Sequence, residues 1–424
     1  MKKSLLIVGI IVILLAGVVT FLWLSSETPA PTDLGMENGG TSRTFSPFGA
    51  IIDLFSGNDS ETPLQNQEAT TTTSSRSVYD LLSVSGAYKI TEEPVVAAMF
   101  VQTGTTTGEV LRYIERESGH IFDIYTRSGE TRRISNTTIP RIQEAYFGNN
   151  GTLVALRYLG NDNETIETYV GFVGTSSDAI SGEFISQNTR TLNVSATTPE
   201  VFYTLGAGQG SAGRVYNAAT QQTRPLFSSP LSEWKADWSA PSYILLTTKP
   251  SSSANGFAYI LNTTTGATER ILTGIVGLTT LPHKNNVHIL SGSSKGVTPS
   301  LSIYNRTTGD TADVAGSTFP EKCSVLEDSR LVCAIPTTAS TIDDWYQGVT
   351  SFDDSVWILD PETNLTDYIF DSEITQTPFD AINLSVTADG TVLSFINKKD
   401  SRLWVASLLQ DNFSGILESE FENN

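Results

Sequence analysis

Two cysteines, three histidines and three methionines are all that this 424-residue chain holds of those types. That scarcity excludes a disulfide-built scaffold, and the lack of a His-rich constellation argues against metalloenzyme or triad-hydrolase chemistry. Basic residues are also few, 26 against 46 acidic, for a net charge of −20. Nucleic-acid phosphates need a basic face and anionic lipid needs clustered Lys and Arg, so the balance argues against both partners. After residue 85 no window has a convincing 3.6-residue apolar period, which removes helical solenoids. Long apolar runs are missing too, with one exception.

The exception is residues 5–24, "LLIVGIIVILLAGVVTFLWL", without a single charge. As a helix the run is about 30 Å long, the thickness of a bilayer's hydrocarbon core. The alternative, a cleaved signal peptide, calls for a shorter apolar stretch and a small-residue cleavage site, and "FLWLSSETPAP" offers none. Residues 1–24 therefore read as a single-pass transmembrane signal anchor. Lys2 and Lys3 precede the run and no basic residue follows until Arg43, which keeps the N-terminus cytoplasmic and the rest extracytoplasmic. Residues 25–85, rich in Thr, Ser, Pro and Gly, read as a flexible, disordered linker, and 411–424 as an acidic tail.

Between them the chain repeats itself. "GHIFDIYTRSGETRRIS", "GFAYILNTTTGATERIL", "PSLSIYNRTTGDTADVA" and "DSVWILDPETNLTDYIF" each hold an apolar strand, a polar turn and a second strand. Taking the position seven residues before the turn's Gly or Asn as a marker gives Phe122, Tyr259, Ser302 and Trp357. The weaker units add Tyr169, Tyr216 and Trp404. The steps between the seven are 47, 47, 43, 43, 55 and 47 residues. Two further strands precede each marker, so a unit has four strands at a period of 40–50, the mark of a propeller blade. The last unit lacks an outer strand, while "GAYKITEEP" at 86–94 has the outer-strand look without a unit of its own. Pairing the two closes the ring and removes an exposed sheet edge. The expectation is an all-β, seven-bladed β-propeller over 86–410; the weak second unit, with "GEFIS" at 182–186 as its outer strand, leaves six or eight blades open.

On that repeat the chain resembles the WD40-like and TolB-like β-propeller superfamily over 86–410. No unit carries the Gly-His and Trp-Asp pairs of true WD40 blades, so their hydrogen-bonded tetrad does not transfer. TolB-like propellers are protein-binding partners in the cell envelope, and the resemblance implies that role. Through "VLRYIERESGHIFDI" and "RRISNTTIPRIQEAYF" the chain also resembles uncharacterised single-span membrane-anchored propellers of uncultivated small-genome bacteria. That likeness implies no activity.

Candidate chemistry is sparse. "GQGSAG" (Gly208, Gly210, Gly213) matches a dinucleotide fingerprint but precedes a strand instead of a helix, so it reads as a hairpin loop. "GSSKG" around Ser294 lacks the strand–turn–helix context of a nucleophile elbow. Cys323 and Cys333 fall opposite each other across a hairpin. A bridge in an oxidising compartment and two buried thiols packing as small apolar groups both stay open. The longest step contains "TTASTIDDWYQGVTSFDDSVW", 337–357, an insertion between second and marker strands. Ordered loops of that length are where such scaffolds place binding. Trp345 and Tyr346 are set to stack on a sugar or partner, with Asp343, Asp344, Asp353 and Asp354 as acceptors or as a Ca²⁺ nest. The competing reading has the two aromatics plugging a gap beside the propeller.

No catalytic set, metal cluster or cofactor motif is assembled. The leading expectation is a membrane-anchored module that binds a cell-envelope protein or a surface glycan through loops at one rim. The alternatives are a carboxylate-based glycan hydrolase or lyase working in the propeller channel, and a structural envelope component without a dedicated ligand.

Overall fold

Twenty-eight strands form among the described residues, and hydrogen bonding sorts them into seven antiparallel sheets of four. The computed structural model describes residues 76–102, 109–174 and 179–409. The anchor expected at 1–24, nearly all of the linker and the tail at 411–424 lie outside the described residues. Among those described, no helix is long and apolar enough to cross a membrane.

Each sheet is a blade that begins with an inner strand. In chain order the inner strands are Val95–Gln102, Glu144–Gly148, Leu192–Val194, Trp234–Asp237, Thr279–Pro282, Cys323–Val325 and Ala381–Val386, which number blades 1 to 7. All seven marker residues fall in third strands, as the period requires; Tyr259, for example, pairs with Leu246 on one side and Arg270 on the other. The turn after the third strand explains the repeat. Asn262 and Asn305 each accept two backbone N–H bonds from the residues two and three positions on. The turn then closes on a positive φ, at Gly129, Gly266, Gly309 and Asn364. Asn and Gly recur there because few other residues make both moves cheaply.

The ring closes as the unpaired outer strand suggested. Ala87–Lys89 completes blade 7 by pairing with Arg402–Ser407, Tyr88 opposite Val405. The outer strand guessed for blade 2 is Ser181–Phe184. Successive blades bury a hydrophobic cluster at each of the seven seams; one seam joins blade 7 to blade 1 through Leu403 and Val405 against Leu111 and Ile124. Burial between faces, not along strands, holds the disc together.

Two expectations need correction. Residues 78–85 are not linker but a helix, α1 (Val78–Ser85), capped by Ser77 accepting from Asp80 N and ended by Gly86 at φ 67°. Its Val78 and Leu82, one turn apart, pack into the seam between blades 7 and 1. Short helices also form where no helical period was visible, α2 (Ile342–Tyr346) and α3 (Ser372–Thr375). At four or five residues they are too short to show a period.

Cys323 and Cys333 face each other in the blade 6 register and are joined in a disulfide. The bond closes a loop of 10 residues. Reduction should lower unfolding free energy by about 2.5–3 kcal/mol on chain-entropy grounds, read as a lower urea midpoint with reductant present. An unchanged midpoint would show that the bridge constrains nothing the blade has not already fixed.

Blade geometry assigns the loops to two faces. Connections from second to third strands, and those entering inner strands, gather on one face, called the top here. Helix α1 and the end of the last strand at Ser407 lie on the bottom face, where Val78 N donates to Thr126 O. The chain thus enters and leaves the disc on the same side.

Candidate functional site

The insertion in blade 6 crosses the top face as a strap. Thr341 caps α2 by accepting from Asp344 N at 3.1 Å. The aromatic ring of Trp345 packs against both Phe319 and Phe352, with centroids 6.0 and 5.9 Å away, and the two phenyl rings lie 5.9 Å from each other, in a small apolar cluster with Ile342. Beneath it Asp380 takes three donors from the strap on one oxygen: Trp345 Nε1 at 2.9 Å, Ser351 Oγ at 3.0 Å and Phe352 N at 2.9 Å. Its other oxygen accepts from Lys322 Nζ at 2.6 Å, and Lys322 also pairs with Asp354 at 2.8 Å. All three charged side chains are fully enclosed. Burial raises the Asp354 carboxyl to about 6, with Lys322 opposing and Asp380 reinforcing the shift. Burial also works upward on Asp380, but Lys322 and the strap donors outweigh it and hold its carboxyl below the ordinary range.

Beyond this anchor the strap reaches across to blade 4. Asp343 accepts from Ser252 N at 2.7 Å in the loop between blade 4's second and third strands. The Tyr346 hydroxyl accepts from Lys235 Nζ at 2.7 Å on blade 4's inner strand and donates to Glu321. Lys398 of blade 7 donates to the Trp345 carbonyl.

The six residues expected to bind therefore separate. Trp345 is a plug, 5% exposed, and Asp354 is 1% exposed and committed to Lys322. Asp343 goes to Ser252, Asp344 to Thr341, and Asp353 to Lys399 at 2.8 Å. The four carboxylates share no focus, so the Ca²⁺ nest is not formed by them; among the described residues no group of three or more acidic, Cys or His side chains is placed to hold a metal. Tyr346 borders open space on the top face.

That space is a cleft of about 790 Å³ on the top face, between blades 2, 3 and 4, with Tyr346 as one wall. Its polar lining includes Arg157, Asn188, Arg190, Gln209 and Lys249. The sequence reading picked none of these. Gly208 and Gln209 are the two-residue turn between paired Ala207 and Gly210, so "GQGSAG" is a hairpin as expected. Gly208 takes φ 57°, and a Cβ on Gly213 would sit 2.2 Å from the Phe227 ring. The motif's glycines serve a turn and a packing contact, not a phosphate. Ser294 lies buried in the strand His288–Lys295, far from an elbow's geometry.

Next to the cleft a small channel cavity of about 110 Å³ is lined by Lys235, Asp237, Thr247, Thr280 and Glu321. Burial lowers the Lys235 ammonium, against the pull of Asp237 and Glu144. Burial raises the Asp237 carboxyl, against hydrogen bonds from Ser239 and the charge of Lys235.

Seven four-stranded blades closed by an N-terminal outer strand define a seven-bladed β-propeller. No family model matches the chain, and no curated protein matches it. Among solved structures it is similar to an oligogalacturonate lyase from Vibrio parahaemolyticus, at TM-score 0.53 and 8% identity, covering 77% of this chain and 94% of that one. It is also similar to the β-propeller domain of Cps50 (Swd1) from Myceliophteria thermophila, at TM-score 0.52 and 10% identity, covering 76% and 100%. TolB from Acinetobacter baumannii aligns at TM-score 0.42 and 12% identity, over 74% of this chain and 80% of that one. The likeness to the first two shows the fold and nothing about activity.

Proposed function

We propose that this protein is a membrane-anchored, extracytoplasmic propeller that binds a cell-envelope protein or surface glycan in the top-face cleft. One observation carries the reading. It is the top-face cleft of about 790 Å³, walled by polar side chains from three blades and by Tyr346. A concave site of several hundred Å³ with convergent polar groups is the form binding sites take. The strap supports it by fixing Tyr346 in the wall through buried contacts, so the wall is set before a ligand arrives.

Immobilised full chain should retain an envelope fraction that Gln209→Trp, which fills the cleft from an exposed turn, releases. Arg127→Trp on the bottom face should leave retention unchanged. Equal retention by both variants would remove the cleft from the account. Protease added to intact cells should degrade the propeller; full protection would overturn the extracytoplasmic placement.

A second reading has one observation behind it. Asp237 of blade 4 and Glu321 of the connection into blade 6 line the same channel cavity, as a carboxylate-run hydrolase or lyase would need. Release of reducing ends from envelope glycans, abolished by Asp237→Asn, would favour it over binding alone.

A further inference from the structure

We infer that the top-face cleft is a receptor site for a carboxylated glycan, a short run of uronic-acid sugars, with Arg190 and Lys249 as its anion contacts. The inference rests on the cleft being the binding site and names the chemistry of what it holds.

The chain's net charge is −20, yet four basic side chains line this cleft: Arg157, Arg190, Lys235 and Lys249. Their commitments differ. Lys235 is held by Glu321 and Tyr346. Arg157 gives one nitrogen to Glu144 and one to Thr189 O at 2.8 Å, while its Nε has no protein partner. Lys249 pairs with Glu233 at 3.3 Å, but the two side chains are 66% and 58% exposed. A pair that open to water is worth little and yields readily to a ligand carboxylate. Arg190 is exposed and has no carboxylate partner among the described residues. Guanidinium is the side chain best shaped to grip a carboxylate, through two parallel N–H bonds.

The arrangement also selects the rest of the ligand. Cations converging on one point would suit a small inorganic anion. Here they are spread over elements of blades 2 to 4, with Asn188, Thr191, Gln209 and Ser232 between them. Amides and hydroxyls can donate and accept, matching sugar hydroxyls that do both. The lining also holds Ile166, Trp234, Pro250 and Tyr346, apolar faces against which the flat sides of sugar rings can lie. Carboxylates spaced by hydroxyl-bearing rings match this mixture of cations, amides, hydroxyls and apolar faces. The cleft's volume falls in the range that encloses a ligand of a few rings.

The test uses the full chain and polygalacturonate as probe, with poly-glutamate and dextran as comparators, in calorimetry at low salt. Arg190→Ala/Lys249→Ala removes two exposed side chains, so folding is not at stake. Polygalacturonate should bind, lose at least tenfold in affinity in the double variant, and keep its affinity in Arg127→Ala on the other face. Dextran should not bind, and poly-glutamate should bind more weakly. Unchanged affinity in the double variant overturns the proposal, as does poly-glutamate binding as well as the uronate. Dextran binding that Gln209→Trp abolishes and the double variant leaves intact would overturn the anion chemistry while keeping the cleft as the site. Binding of any probe that Gln209→Trp leaves intact would remove the cleft itself.

Discussion

Replacing Lys322 with methionine is expected to lower unfolding free energy by about 3–5 kcal/mol, the usual result of taking one partner from a buried ion pair. The ammonium spends all three protons, on Asp380 at 2.6 Å, Asp354 at 2.8 Å and Ala381 O at 3.0 Å. Methionine nearly fills the volume, so the loss comes from two carboxylates left facing each other without a cation. Adding Asp354→Asn should recover part of it. A denaturant midpoint within 1 kcal/mol of the parent for Lys322→Met would mean that water or relaxation already pays for these charges.

The same cluster fixes a pH dependence. Asp354's folded value, about 6, lies above the ordinary 3.8, so its ionised form costs the native state stability above pH 6. That cost fades as pH falls from 6 toward 4. Asp380 runs the other way: its folded value is depressed, so its contribution is present above the unfolded value and lost as pH falls through the folded one. Asp354→Asn in the native background should therefore gain on the parent between pH 4 and 7, by up to about 3 kcal/mol for a carboxyl raised from 3.8 to about 6. A stability difference that stays flat over that range would contradict the assignment.

Trp345→Ala should have the second-largest effect, about 3–5 kcal/mol, but locally. It removes the ring that packs on both Phe319 and Phe352, together with the Nε1 bond to Asp380. The amides of Gln347 and Val349, bonded to Asp343 O and Asp344 O, should exchange on the order of a hundredfold faster. Inner-strand amides should keep their protection. Trp345→Phe retains the stacking and loses only the hydrogen bond, for about 1–2 kcal/mol. Because Tyr346 follows directly, the alanine variant should also weaken whatever the cleft binds. Uniform acceleration of exchange across all blades would instead make the strap part of the global core.

Much of the fold was legible along the chain. The step between Phe122, Tyr169, Tyr216, Tyr259, Ser302, Trp357 and Trp404 is set by strand length and turn chemistry, both near-neighbour properties. Helix α1 was legible too, in Ser77 three residues before Asp80 with Val78 and Leu82 one turn apart, but eight residues without a longer period read as linker. The strap was found by its length, and its aromatics suggested a surface for stacking. Trp345 turned inward because Asp380, 35 residues later, offers its indole N–H a buried acceptor.

What the chain determined on its own is the strand period, the turn residues that punctuate it, and the spare outer strand that closes the ring. Such features depend on residues a few positions apart, where covalent geometry and local hydrogen bonding decide the outcome. Which charges are buried and which remain free was decided only when seven blades placed their top loops around one axis. Lys322 meets Asp380 across 58 residues, and Arg157, Arg190 and Lys249, from three blades, line one cleft. No local pattern encodes those meetings, because closing the ring is what brings the loops together.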